Sequence, residues 1–128
     1  MIGYVTLGTN DIESAAKFYD ALLAEIGARR FMEFDQFIAW GVSVEQPALA
    51  ITKPFDGNTA TVGNGVMIAL KVDSPEKVNL VYNKAIALGA KDEGAPGPRG
   101  AVPGFYAGYF RDLDGNKLDV FCMTEPNT

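Results

Sequence analysis

Histidine is absent from the 128 residues, and cysteine occurs once, as Cys122. The first absence removes the commonest general base and metal ligand at neutral pH. The second excludes an intrachain disulfide and fits a reducing compartment. No apolar run approaches the roughly 20 residues that span a bilayer, and Met1-Ile2-Gly3-Tyr4 lacks the charged start of a signal peptide. Glycine at position 3 instead of 2 excludes the myristoylation pattern. A cytoplasmic protein with no membrane partner is expected. Positive charge is also scarce. Eleven Lys and Arg against 16 Asp and Glu leave a net charge of −5, and the nearest basic pair, Arg29-Arg30, is too short to track phosphates. Nucleic acid is therefore not an expected partner, and the acidic balance mildly favours cationic ligands.

What is present is a folded, core-forming composition: 48% hydrophobic and 21% charged residues. The length suits one domain, 1–128. Within it the same unit occurs twice. Strand-like "GYVTLG" (3–8) precedes a helix between Asn10 and Gly27, with Asn10 expected as cap and Glu13 closing a capping box. Ile12, Ala15, Ala16, Tyr19, Leu22, Leu23 and Ile26 recur at helical spacing. Strand-like "VMIALKV" (66–72) precedes a second helix with Ser74 as cap, Pro75 at its first position and Gly89 at its end. Val78, Val81, Tyr82, Ala85 and Ile86 form its expected buried stripe. "AEIGAR" (24–29) matches "IALGAK" (86–91), so the repeat extends through both helix ends.

Three strand-like runs follow the first helix: 29–34, 37–44 and 48–52. After the second come "AKDEG", a Gly/Pro-rich loop (94–104), "FYAGYF" (105–110) and "KLDVFC" (117–122). "DLDGN" (112–116) reads as a hairpin turn, because Asp-Gly tolerates positive φ. As a calcium loop it fails, since its glycine comes too early and no spaced glutamate follows. The expected fold class is α+β: two βαβββ modules, about 1–53 and 66–123, joined by a linker over 54–65.

"GTNDIESAAKFYDALL" (8–23), "GNGVMIAL" (63–70) and "RDLDGNKLD" (111–119) resemble the vicinal oxygen chelate superfamily of glyoxalases, bleomycin-resistance proteins and extradiol dioxygenases. That resemblance covers nearly the whole chain. It implies curved mixed sheets around a cleft and a homodimer. It also implies four metal-ligand positions, usually His, Glu or Gln, which fall on Tyr4, Ala50, Met67 and Asp119. Only Asp119 is a good donor for a divalent ion, so no metal and no cofactor are expected.

Alternation along strands places Tyr4, Thr6, Ala48, Ala50, Thr52, Met67, Ala69, Lys117, Asp119 and Phe121 on the face of those positions. Larger aliphatics alternate with them and suit the helix-facing side. Candidate ligand contacts are Tyr4, Thr6, Trp40, Ala50, Met67, Arg99, Tyr106, Tyr109, Asp119 and Phe121. Parity does not decide which of Tyr106 and Tyr109 faces the cleft. Each candidate has a plainer reading: Asp119 as an ion pair with Lys117, Tyr4 and Met67 as core filling a vacated site, Arg99 as a solvated loop residue. Cys122 shares parity with the helix-facing set, as a buried thiol would.

The leading expectation is a small-molecule-binding protein of the bleomycin-resistance type that works without metal. A rival is a metal-independent lyase or isomerase with Asp119 as base and a tyrosine as acid. A third is a metal-dependent lyase or dioxygenase with atypical ligands, and a fourth an assembly module with a filled cleft.

Overall fold

The computed structural model describes residues 1–124. They form two compact units that divide between Asn64 and Gly65. The first contains β1 (Tyr4–Gly8), α1 (Ile12–Ala24), β2 (Arg29–Phe34), β3 (Phe37–Gly41) and β4 (Ala48–Thr52). The second contains β5 (Ile68–Lys71), α2 (Pro75–Ala87), β6 (Lys91–Pro98), β7 (Phe105–Arg111) and β8 (Lys117–Met123). Each unit is therefore βαβββ, as the internal repeat implies. The sheets run β1-β4-β3-β2 and β5-β8-β7-β6. In each, one parallel pair (β1 with β4, β5 with β8) joins two antiparallel ones. The helix supplies the crossover that a parallel pair requires.

The first helix starts differently from the sequence expectation. Asp11, not Asn10, is the cap, accepting the Ser14 amide at 3.1 Å. Asn10 turns instead to the segment that follows β4 within the first unit: it accepts the Ala60 amide at 2.7 Å and donates to the Ala60 carbonyl at 3.1 Å. Either side chain has capping chemistry, and the long-range partner decides between them. Ser74 caps α2 as expected, accepting the Lys77 amide at 3.1 Å, with Pro75 leading the helix. Gly27 ends α1 at φ +81°, a conformation that glycine adopts without strain.

The buried stripe of α1 gains Phe18 beside the expected Ala15, Ala16, Tyr19, Leu22 and Leu23. That of α2 loses Ile86, which is 37% exposed, and keeps Val78, Val81, Tyr82 and Ala85. The Gly/Pro-rich segment is a second correction. Its first five residues belong to β6, which reaches Pro98 with register breaks around Gly94. An edge strand tolerates proline because its outward side needs no ladder donor, and bulges absorb the misfit. The 112–116 turn closes the β7–β8 hairpin, with Asp112 Oδ1 accepting the amides of Asp114 and Asn116 at 2.9 Å each. Among the described residues no helix is long and apolar enough to cross a membrane.

Candidate functional site

Residues paired directly across strands share a sheet face. In the second unit one such row reads Ala69, Asp119, Tyr109, Gly94 from β5 to β6. The matching row of the first unit reads Thr6, Ala50, Ala39, Met32. Ala50 and Asp119 thus occupy equivalent places in the two repeats. One row centres on a methyl group and the other on a carboxylate.

Asp119 is 2% exposed, and its Oδ1 has no hydrogen-bond partner. Lys117, two residues along the same strand face, acts on it through charge but makes no ion pair with it. The ion-pair reading of Asp119 is therefore replaced by that of an orphaned buried carboxyl. Burial pushes its pKa up to about 6, with Lys117 pulling the other way. An unpaired buried charge is costly, so the group carries an unmet demand for a donor.

Tyr109 lies directly opposite Asp119. Two cations approach its ring: the Arg99 guanidinium at 5.1 Å from the centroid and the Lys117 ammonium at 5.6 Å. Arg99 is held in place by its Nε and Nη2, which donate to the Ala107 carbonyl at 3.2 and 3.0 Å, and by an Nη2 contact with the Ala95 carbonyl. It is half-buried and tied to the backbone through Nε and Nη2, which is more than a freely solvated loop arginine. Gly94 borders this stack: a Cβ there would meet the Tyr109 ring at 3.4 Å and Arg99 at 3.5 Å, ordinary contact distances, so its backbone at φ +150°, and not space, favours glycine. Phe121 is on the same face, paired with Ala107, and its ring centroid is 5.5 Å from that of Phe105.

Other candidates fall elsewhere. Tyr106 pairs with Cys122 on the opposite face, and its hydroxyl donates to Asn79 of α2 at 2.7 Å. Of the two tyrosines, Tyr109 is the one that shares the face of Asp119. Trp40 is also on a helix side: 1% exposed, it donates to Asp20 of α1 at 2.9 Å and packs on Tyr19. Both side chains are thus engaged on the helix side and not on the Asp119 face. Tyr4 and Met67 are 62% and 39% exposed, so neither is core. Cys122 is buried, and burial with Glu76 and Asp73 nearby pushes its thiol pKa up, away from reactivity.

The first unit carries a different feature, a mainly apolar cleft of about 470 Å³ bordered by Tyr4, Phe31, Gly41, Val42 and Ala48 among others. Phe31 stands at the register shift of β2 between Arg30 and Met32, where alternation along the strand does not assign a face. The bare alternation of "RRFMEF" contains no mark of that bulge.

The metal-ligand positions implied by the resemblance hold a phenol, a methyl, a thioether and one carboxylate. No three of His, Cys, Asp or Glu come together as a metal-binding group among the described residues. The donor set does not fit a divalent ion.

A family model for the Glyoxalase/Bleomycin resistance protein/Dioxygenase superfamily matches residues 1–120. The chain belongs to that superfamily. Among solved structures, a glyoxalase/bleomycin resistance protein from Albidiferax ferrireducens T118 is 33% identical with a TM-score of 0.87, covering 97% of this chain and 99% of its own. A hypothetical protein from S. aureus is 25% identical, TM-score 0.70, with coverage of 95% and 96%. The fosfomycin resistance protein FosX from Mesorhizobium loti shares the fold at 18% identity and TM-score 0.68, covering 97% of this chain and 92% of its own. No curated protein sequence matches significantly. Superfamily membership fixes the scaffold; what this member does depends on its own face residues.

Proposed function

We propose that this superfamily member binds a small organic molecule on the Asp119 face of its second unit, without a metal. The observation that carries the reading is the orphaned Oδ1 of a carboxyl that is 2% exposed. A donor on a ligand meets the demand that the protein leaves open. Tyr109 and Phe121 supply aromatic surface around it, and Arg99 and Lys117 supply positive charge. The test is a thermal-shift screen of tag-free protein against divalent metals and against small carbonyl, cationic and anionic compounds. At a hundredfold over its dissociation constant a ligand stabilises by about 2.7 kcal/mol. Stabilisation by organic compounds that is lost in Asp119→Asn supports the reading. Stabilisation by a metal that is lost in the same variant overturns it.

A second reading rests on the pairing of Asp119 with Tyr109. A carboxyl with a pKa of about 6 is tuned towards general-base work, and a phenol opposite it is a possible acid. That arrangement suits a metal-independent lyase or isomerase acting beside a carbonyl. Turnover lost in Asp119→Asn with ligand affinity retained distinguishes it from simple binding.

The proposed assembly is a homodimer. It is supported by exposed apolar side chains in the first unit, among them Tyr4, Phe31, Phe34 and Val44. Light scattering at micromolar concentration tests it, and a monomer would refute it.

A further inference from the structure

The Asp119 face combines charges of both signs that form no ion pairs with one another, although Lys117 acts through charge on Asp119 and Glu93 and Arg99 on Asp92. Asp119 is buried with an unpartnered oxygen, and Lys117 forms no hydrogen bond or ion pair among the described residues. Arg99 commits Nε and Nη2 to carbonyls, which leaves Nη1 without a bond there. Arg111, which pairs across from Lys117, is in contrast occupied by Glu93 at 2.5 Å and the Gly115 carbonyl at 3.0 Å. The face therefore has one vacant acceptor and two cations with donors to spare, all gathered around the Tyr109 ring.

We infer that the ligand of this face is amphoteric, with an amine or other donor group against Asp119 and an anionic group held by Lys117 and Arg99 beside Tyr109. This rests on the reading that the Asp119 face is the ligand site. Two arguments support the ligand's dual character. A purely cationic ligand would satisfy Asp119 but set a second positive charge among Lys117 and Arg99, while a purely anionic one would face a buried carboxylate. An amphoteric ligand meets both demands. Its size follows from strand geometry, since residues two apart on one face are separated by about 6–7 Å. That short backbone spacing points to a compact ligand, such as a short ω-amino acid or an aminoalkyl phosphonate.

The test is an amide NMR titration of the full chain with 4-aminobutyrate and 2-aminoethylphosphonate, compared with butyrate, ethylphosphonate and butylamine. The expected result is perturbation of the Ala69, Tyr109 and Asp119 amides. Each amphoteric probe should show at least tenfold tighter binding than its single-charge counterparts. Lys117→Met, which keeps the side-chain stem, should weaken the amphoteric probes about tenfold and leave butylamine bound at least as tightly as before, since one repelling charge is gone. Arg99→Gln provides a second variant should Lys117→Met misfold. If butylamine binds as tightly as 4-aminobutyrate and both variants bind normally, the anionic subsite is wrong while the Asp119 site stands. If neither these probes nor any compound from the thermal screen perturbs the row, the inference and the underlying reading fall together.

Discussion

Asp119→Asn should make the protein more stable at neutral pH, which is unusual for replacing a buried polar residue. The carboxyl pKa rises from an ordinary 3.8 to about 6 on folding because burial penalises the charged form. The native state thus binds the proton more tightly than the unfolded chain. Between about pH 4 and 6 it carries the extra proton, so stability falls as pH rises through that window. Below the window there is no penalty. Above it the penalty is complete, about 3 kcal/mol at about 1.4 kcal/mol per pH unit. Asparagine has nearly the shape of the neutral acid and never ionises. Stability curves of the wild type and the variant, measured by urea denaturation from pH 4 to 8, should coincide near pH 4 and separate to about 3 kcal/mol at pH 7. The midpoint temperature of the variant should be higher by about 10 °C at pH 7. Carboxylates such as Asp20 and Glu93 titrate in both proteins and cancel in the difference. A difference that is constant across pH, or a wild type more stable at pH 7, would refute the orphaned-carboxyl account.

Asp20 is the opposite case, with its pKa held below the usual range by the Arg30 hydrogen bonds and then by Trp40. Its contribution is present above about pH 4 and lost as pH falls through its native pKa. Asp20→Ala strands the buried Trp40 indole N–H and should cost about 1–3 kcal/mol by denaturant titration. Asn10→Ala removes both bonds to Ala60, so limited proteolysis should cut within 53–65 more rapidly while the global unfolding midpoint changes little. Gly108→Ala on β7 places a Cβ 3.0 Å from Pro96 of β6 and 3.1 Å from Tyr82 of α2, and should destabilise by about 1–3 kcal/mol in the same assay.

The duplicated βαβββ pattern was legible because helix caps, apolar periodicity and turn residues agree locally in both halves. Ser74-Pro75 and the 112–116 turn illustrate this, each needing only its own chain neighbours. What failed depended on distant partners. Asn10 lost the capping role to Asp11 because Ala60, 50 residues away, engages it. Phe31 and the strand through Pro98 were hidden by bulges, which break parity without a residue-type signature. For the site, parity along single strands put Asp119, Lys117 and Phe121 on one face. Choosing Tyr109 over Tyr106, and rejecting Trp40, required cross-strand register and the helix partners Asn79 and Asp20. The burial of Asp119 without a partner has no sequence signal, because it depends on what surrounds the strand.

The most direct test of the central claim is carbon-detected NMR titration of the Asp119 carboxyl, alone, with zinc, and with an organic compound that stabilises the protein. The account predicts a pKa of about 6 in the free protein. Zinc should leave it unchanged, and the organic ligand should lower it as a donor engages the charged form. A carboxyl that zinc depresses and organic ligands leave untouched would contradict the account.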